Sequence, residues 1–412
     1  MLWSWTLLAV GVLGFLLAVN VLAPTRAPGG VAVVSFFAGW LVGELAVHAL
    51  LGQLVLVAVL SWLGALAAWP GLAGAGLSLL ACVLLVVAQR RAASAGDAVR
   101  AALGPDAAAL TTMPPSLGLA PIVFPFPVRH PAVDSRRRVE FQRYGDVTLR
   151  LDVHRRRGHE GRGPVLVYVH GGGWVIGHRD KQGLPLMQHL AAHGWVCVSI
   201  DYRLSPHATF PDHLVDVKRA LVWVRDHAEE LGADTSFVAI AGNSAGAHLA
   251  SLAALTQNRP EYQPGFESGD TTVNACIGFY GIYDLLDRRR LLAHDGMKRL
   301  LARHVMKASP ETDRPAYEAA SPVDRVHAGA PPFLLVHGTH DTLAPVAGAR
   351  HFAEVLRETS RAKVVYLEVP GAQHAFEIFP SVRTRHVVDG AARFLEDLYR
   401  ASAKMSRTTP AS

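Results

Sequence analysis

The stretch "FVAIAGNSAGAHLA", residues 237–250, sets an apolar run directly before a serine that has glycine two positions away on each side, then continues into an alanine-rich helical run. Read as strand, tight turn and helix, it lifts Ser244 to the carboxyl end of a strand and the amino end of a helix. Gly242 and Gly246 permit the close backbone approach that such a turn requires. A helix-capping serine would need neither glycine nor the buried strand before it. In a chain with 37 glycines the bare pattern arises by chance, so the neighbouring segments have to decide.

They do so by repeating the same alternation. Arg138–Arg143 and Val147–Val153 flank a "YGD" turn and read as a hairpin. Apolar strands then follow at 165–169, 196–200, 237–240, 273–279, 333–336 and 364–369, with helix-period segments at about 182–193, 211–231, 245–257, 346–359 and 385–403. Eight strands with crossover helices predict an α/β fold with a mostly parallel sheet covered on both faces. Ligands of such sheets sit beyond the carboxyl ends of the strands, and the chemically distinctive residues of this chain fall there.

A serine hydroxyl is a weak nucleophile until a base takes its proton. His374 in "GAQHAF" follows the strand at 364–369, and Asp341 in "HGTHDTLAP" follows the strand at 333–336 as the carboxylate to orient it. Asp284 and Asp287, after an earlier strand, are the alternative acids. The order Ser244, Asp341, His374 is that of a triad built on this sheet type. "HGGGW", residues 170–174, follows the strand at 165–169 and offers the amides of Gly171, Gly172 and Gly173, with that of Ala245, to an oxyanion.

As an ordered set, "HGGGW", "DYRLSPHATFPDHLVDVKRALVWV" (201–224), "GNSAG", "SPVDRV" with "PPFLLVHGTHD", and "GAQHAF" resemble the hormone-sensitive-lipase-like esterases and related carboxylesterases of the α/β-hydrolase fold, over about residues 135–400. The resemblance implies Ser244 as nucleophile, His374 as general base, Asp341 as its orienter, and Gly172, Gly173 and Ala245 as oxyanion donors. His170 and Trp174, with residues 201–206, would support the oxyanion loop. It implies ester hydrolysis through an acyl-enzyme, on a small-molecule ester, with no metal or organic cofactor. Asn243 stands where many of these enzymes carry aspartate, which leaves the subfamily open. Arylformamide or sugar-acetyl hydrolysis uses the same machinery. A catalytically silent binding protein would be favoured only if a triad member were missing.

The N-terminal part lies outside that resemblance. Residues 1–88 carry only Arg26 and Glu44 as charged side chains, while the rest has ordinary soluble charge density. Three regions follow: a transmembrane helical region at 1–91, a linker or cap segment at 92–131 with a short helix at 95–110 and an apolar tail at 117–128, and the catalytic domain at 132–412. Leu2–Ala23 is long enough to cross a bilayer. Val31–Trp69, about 58 Å as one helix, should fold back near Gly52 and Gln53. A last run to Ala88 gives four spans, or three by a sparser count. The first run resembles a signal peptide only in "VLA" at 21–23 and lacks a basic n-region. Arg90 and Arg91 after the last span predict a cytoplasmic catalytic domain. Glu44 and His48, four apart, would share a helix face inside the membrane as an interhelical hydrogen bond or a functional pair. A transporter is disfavoured by the lone carboxylate.

The formal charge of +6 comes from scattered arginines, with no aromatic-interleaved basic module for nucleic acid. Cys82, Cys197 and Cys276 show neither disulfide nor metal spacing. The bilayer and a hydrophobic ester are the expected partners. The segment 282–312, "LLDRRRLLAHDGMKRLLARHVM" at its centre, reads as an amphipathic helical cap over the acyl pocket.

Overall fold

The nearly uncharged N-terminal stretch folds as apolar helices: α1 (Leu2–Leu22), α2 (Gly30–Glu44), α3 (Ala46–Trp62) and α4 (Trp69–Ala93), followed by α5 (Ala95–Leu103). The computed structural model describes residues 1–26, 30–104, 123–126, 129–292 and 295–408. Glycine lets α1 and α4 approach closely. A Cβ on Gly11 would lie 2.3 Å from the Gly74 carbonyl oxygen, and one on Gly74 would lie 2.4 Å from that of Leu7, the small-residue contact by which apolar helices associate. Gln53 of α3 donates to Ser78 Oγ of α4 at 2.8 Å.

Among the described residues two helices, Leu2–Leu22 and Trp69–Leu103, are long and apolar enough to cross a membrane, and α2 with α3 supplies the third of the sparser count only as a broken pair bent by 88°, short of the four spans expected. The fold-back sits at Leu45, not at Gly52 and Gln53. Gln53 is satisfied inside α3 by Ser78, whereas Glu44 ends α2 by reaching Ser381 Oγ at 2.6 Å and Arg383 in a buried ion pair. Glu44 and His48 therefore share no helix face. His48 Nε2 donates instead to the carbonyl of Val123 at 2.8 Å. Of the apolar tail expected at 117–128, only 123–126 lie among the described residues.

The strands are β1 (Val133–Tyr144), β2 (Val147–Arg156), β3 (Gly163–Val169), β4 (Val196–Ile200), β5 (Ala233–Asn243), β6 (Ala275–Phe279), β7 (Phe333–Gly338) and β8 (Val364–Val369). They form one sheet ordered β1-β2-β4-β3-β5-β6-β7-β8. The hairpin joins β4 antiparallel, and β3 to β8 run parallel. Side chains of a strand alternate between faces. Val165, Val167 and Val169 of β3 thus enter one core with Val238 and Ile240, while Leu166 and Tyr168 enter the other with Phe237 and Ala239. Helix α6 (Leu184–Ala192) covers the second face together with α10 (Val382–Thr408), and α7 (Asp212–Asp226), α8 (Ala245–Leu255) and α9 (Val346–Thr359) cover the first. Val99 of α5 packs into the second core, so the N-terminal region and the sheet share buried surface.

The cap expected as a helix over 282–312 is mostly irregular, with a short helix at 296–305. Asp284 accepts from the amides of Leu286 and Arg288, and Asp287 from that of Leu291 at 2.7 Å. These side-chain bonds compete with a continuing helix, and they also commit both carboxylates locally.

Candidate active site

Ser244 sits between β5 and α8 with φ 54° and ψ −121°, a conformation that costs an L-residue about 1–3 kcal/mol and persists where the surroundings hold it. Both flanking glycines are required. A Cβ on Gly242 would lie 2.3 Å from the Gly246 carbonyl oxygen, and one on Gly246 would lie 2.1 Å from that of Val169. The Ser244 amide donates to the Phe279 carbonyl at 2.9 Å, which ties the turn to the end of β6.

Two further strand ends converge on this hydroxyl. His374 Nε2 lies 3.0 Å from Ser244 Oγ, and its Nδ1 lies 2.7 Å from Asp341 Oδ2. Asp341 Oδ1 accepts from the amides of Leu343 at 2.9 Å and Ala344 at 2.8 Å, and His337 Nε2 lies 3.1 Å from Oδ2. Burial alone would raise the Asp341 pKa, but the neighbouring His374 and the bonds from His337 and His374 outweigh it and hold the carboxyl below the usual range. Gln373 Oε1 accepts from the amides of Thr342 and His374 at 2.8 and 2.9 Å, binding the two loops together. An imidazole so placed can take the serine proton while its own charge is balanced at Nδ1. Asp284 and Asp287, the alternative acids, have no hydrogen bond to this histidine among the described residues.

The glycine loop expected to bind the oxyanion is more selective than its sequence suggests. The Gly171 amide already donates to Asn243 Oδ1 at 2.9 Å and Gln182 Oε1 at 2.7 Å, so Gly171, expected among the donors, is instead an anchor of the loop. The amides of Gly172, Gly173 and Ala245 have no acceptor among the described residues. Gly172 and Gly173 adopt φ of 122° and 60°, and a Cβ on Gly172 would lie 2.0 Å from the Ile176 carbonyl oxygen. His170 stacks on Tyr202 at 4.4 Å and donates from Nδ1 to the Gly171 carbonyl at 2.8 Å. Burial lowers its pKa to about 4, so it stays neutral. Trp174 Nε1 donates to His248 Nδ1 at 3.3 Å. The 201–206 segment holds the loop from below through Tyr202 OH to the His170 carbonyl at 3.1 Å and the Ser205 amide to the Trp174 carbonyl at 2.8 Å. Arg179, buried between Asp152 at 2.8 Å and Asp201 at 2.7 Å, closes the loop's far end.

A buried polar chain behind the histidine has no obvious mark in the sequence. Asn243 Nδ2 donates to Tyr280 OH at 3.1 Å, Tyr280 OH donates to Glu377 Oε2, and Tyr168 OH donates to Glu377 Oε1 at 3.2 Å. Burial pushes the Glu377 carboxyl up to about 7, against the pull of the bond from Tyr280. The Tyr280 ring lies 4.5 Å from that of His374. The only signal was a lone glutamate three residues beyond the histidine.

Ser244 and His374 open on a cavity of about 720 Å³ whose walls include Phe36, Phe37 and Trp40 of α2 and Leu291, Leu292 and Met297 of the irregular segment. Among the described residues no group of three or more His, Cys, Asp or Glu is placed to hold a metal ion.

The BD-FAE family matches residues 151–356. The probable carboxylic ester hydrolase LipM of Mycobacterium tuberculosis is 46% identical over 275 residues, covering 66% of this chain and 63% of LipM. Esterase LipC of the same organism is 43% identical over 286 residues, covering 68% of this chain and 69% of LipC. The chain thus spans about two-thirds of these curated relatives. The propionate-bound esterase Est2 of Thermogutta terrifontis superposes with a TM-score of 0.52 at 27% identity, covering 66% of this chain and 95% of Est2.

Proposed function

Since this chain belongs to the BD-FAE family of the α/β-hydrolase fold, alongside mycobacterial carboxylic ester hydrolases, we propose that it is a membrane-anchored serine esterase working through an acyl-enzyme. The observation that carries this reading is the hydrogen-bonded line from Ser244 through His374 to Asp341, at 3.0 and 2.7 Å, beside the unengaged amides of Gly172, Gly173 and Ala245.

In this mechanism Ser244 Oγ attacks the ester carbonyl carbon as its proton passes to His374 Nε2. The charge on the imidazole is balanced by Asp341, which keeps Nδ1–H directed at its Oδ2. The carbonyl oxygen, now negative, receives the amides of Gly172, Gly173 and Ala245, each such donor contributing on the order of 3 kcal/mol. His374 returns the proton to the leaving alkoxide, and the acyl group stays on Ser244. Water then attacks with the same histidine as base, releasing the acid and restoring the serine.

Membrane attachment is supported by the two long apolar helices and the bent pair between them. Arg90 and Arg91 at the end of α4 support a cytoplasmic catalytic domain. Full-length protein in detergent should hydrolyse p-nitrophenyl butyrate, and Ser244→Ala should lose at least about 10⁴-fold in kcat. Equal turnover by two folded proteins would refute the reading. Reporter fusions after Arg91 should score cytoplasmic.

A further inference from the structure

Helix α2 connects the apolar region to the reaction centre. Its inner face is fixed to the loops that carry the catalytic histidine. Trp40 Nε1 donates to the Ala375 carbonyl at 2.8 Å and its ring packs on Phe379 at 4.9 Å, while the Phe36 ring stands edge-on to His374 at 6.2 Å. Glu44, at the end of the helix, holds Ser381 and Arg383. The outer face carries Val31, Val34 and Leu41, which are 57%, 69% and 46% exposed, with no charge before Glu44. In water such a face costs about 25 cal/mol per Å².

The bend makes sense of that face. If α1 and α4 cross the bilayer and α3, 17 residues long and bonded to α4 through Gln53 and Ser78, runs beside them, the 88° between α2 and α3 lays α2 along the membrane plane, where an apolar helix with one face on protein and one on lipid is at home. Val33 and Phe37 belong to both environments, since they line the cavity above Ser244 and are 46% and 55% exposed. Across the opening stand Leu291, Leu292 and Met297, with Ile176, 67% exposed, at the rim. With α2 so placed, the apolar side of the cavity, formed by α2, Ile176 and the irregular segment, would face the lipid surface, while Arg26, Gln182 and Arg350 also line the cavity.

We propose that α2 is one wall of an acyl channel, and that the substrate is a carboxylic ester whose long alkyl chain is dissolved in the bilayer and slides laterally past Val33 and Phe37 to Ser244. This rests on the esterase reading above and adds its substrate class and route. Each methylene that moves from water into such a channel gains about four-fold in affinity. A chain already in lipid gains little of this, so the advantage of the route is proximity rather than extraction from water.

The test uses the full-length enzyme in phosphatidylcholine vesicles with 4-methylumbelliferyl palmitate and butyrate. Palmitate ester placed in the enzyme's own vesicles should be hydrolysed at least about ten-fold faster than the same ester supplied in separate vesicles, while the water-soluble butyrate shows no such difference. Val33→Trp, which narrows the channel, should lower the palmitate-to-butyrate ratio of kcat/KM about ten-fold. Val34→Trp, with equal bulk on the lipid face, should leave the ratio unchanged. Equal palmitate rates in the two vesicle arrangements overturn the inference, as does an unmoved ratio in a Val33→Trp enzyme still active on butyrate. Should Val33→Trp lose both esters, the vesicle comparison decides alone. If wild type and Ser244→Ala turn over butyrate equally, the esterase reading itself has failed.

Discussion

Replacing Asp341 with asparagine probes the site where its geometry is most constrained. The carboxylate makes no adjustable contacts. Oδ1 accepts two backbone amides, from Leu343 and Ala344, that have fixed directions, and Oδ2 faces His374 Nδ1 at 2.7 Å. An asparagine must keep its carbonyl oxygen at the Oδ1 position, because an NH₂ there would meet two N–H donors. Its Nδ2 is then forced against His374 Nδ1, and that nitrogen becomes an acceptor. The proton moves to Nε2, which points at Ser244 and can no longer accept from it. His337 Nε2, 3.1 Å away, opposes the NH₂ as well. Loss of the correct tautomer in such triads lowers kcat by about 10⁴-fold, which at 1.36 kcal/mol per decade is about 5.4 kcal/mol of lost transition-state stabilisation. The assay is steady-state hydrolysis of p-nitrophenyl butyrate by full-length protein in detergent, with thermal unfolding to establish that the variant is folded. Activity within ten-fold of wild type would refute the assignment of Asp341 and return attention to Asp284 and Asp287.

Other perturbations test the surroundings. Glu377 has its pKa raised from 4.5 to about 7, so the folded state binds the extra proton between those values and stability should fall as pH rises from about 4.5 to 7, by at most about 3 kcal/mol. Glu377→Gln should flatten that slope in a thermal melt series, and an unchanged slope would place the titration elsewhere. Gly246→Ala forces a methyl to within 2.1 Å of the Val169 carbonyl oxygen and 2.5 Å of that of His170; it should cost about 3 kcal/mol and abolish esterase activity, measured by melting temperature and turnover. Arg383→Met strands a buried carboxylate and should destabilise by about 3–5 kcal/mol, whereas adding Glu44→Leu should recover most of the loss, read by tryptophan fluorescence on heating in detergent.

That Ser244, Asp341 and His374 would meet was legible because each follows its own apolar strand, and strand ends in a parallel sheet converge by construction. The glycine loop at 170–174 was legible as a loop, but which of its glycines has a free amide was not. That depends on Asn243 and Gln182 reaching Gly171 from 72 and 11 residues away, and backbone composition carries no trace of it. The residues 282–312 have helical periodicity, yet Asp284 and Asp287 divert the backbone amides into local turns. The apolar runs marked the N-terminal helices, while the bend at Leu45 was hidden, since the partners of the adjacent Glu44, Ser381 and Arg383, are remote in the chain. Hydropathy reports what a segment avoids, not which distant side chain it answers to.

The link between Glu44 and Arg383 also sets an order of events during synthesis. The two residues are 339 positions apart, and a ribosome adding about 5–20 residues per second leaves the glutamate waiting for roughly 20–70 s before its arginine emerges. The apolar helices have that long to find one another before α2 can be latched, whereas β8, which ends at Val369, completes the set of strands only 14 residues before Arg383, about 1–3 s earlier. Latching of α2 therefore belongs to the final stage of synthesis, together with the packing of α10 on the sheet, and a nascent chain arrested short of residue 383 should carry its first helices in place while α2 still lacks the ion pair that fixes its end.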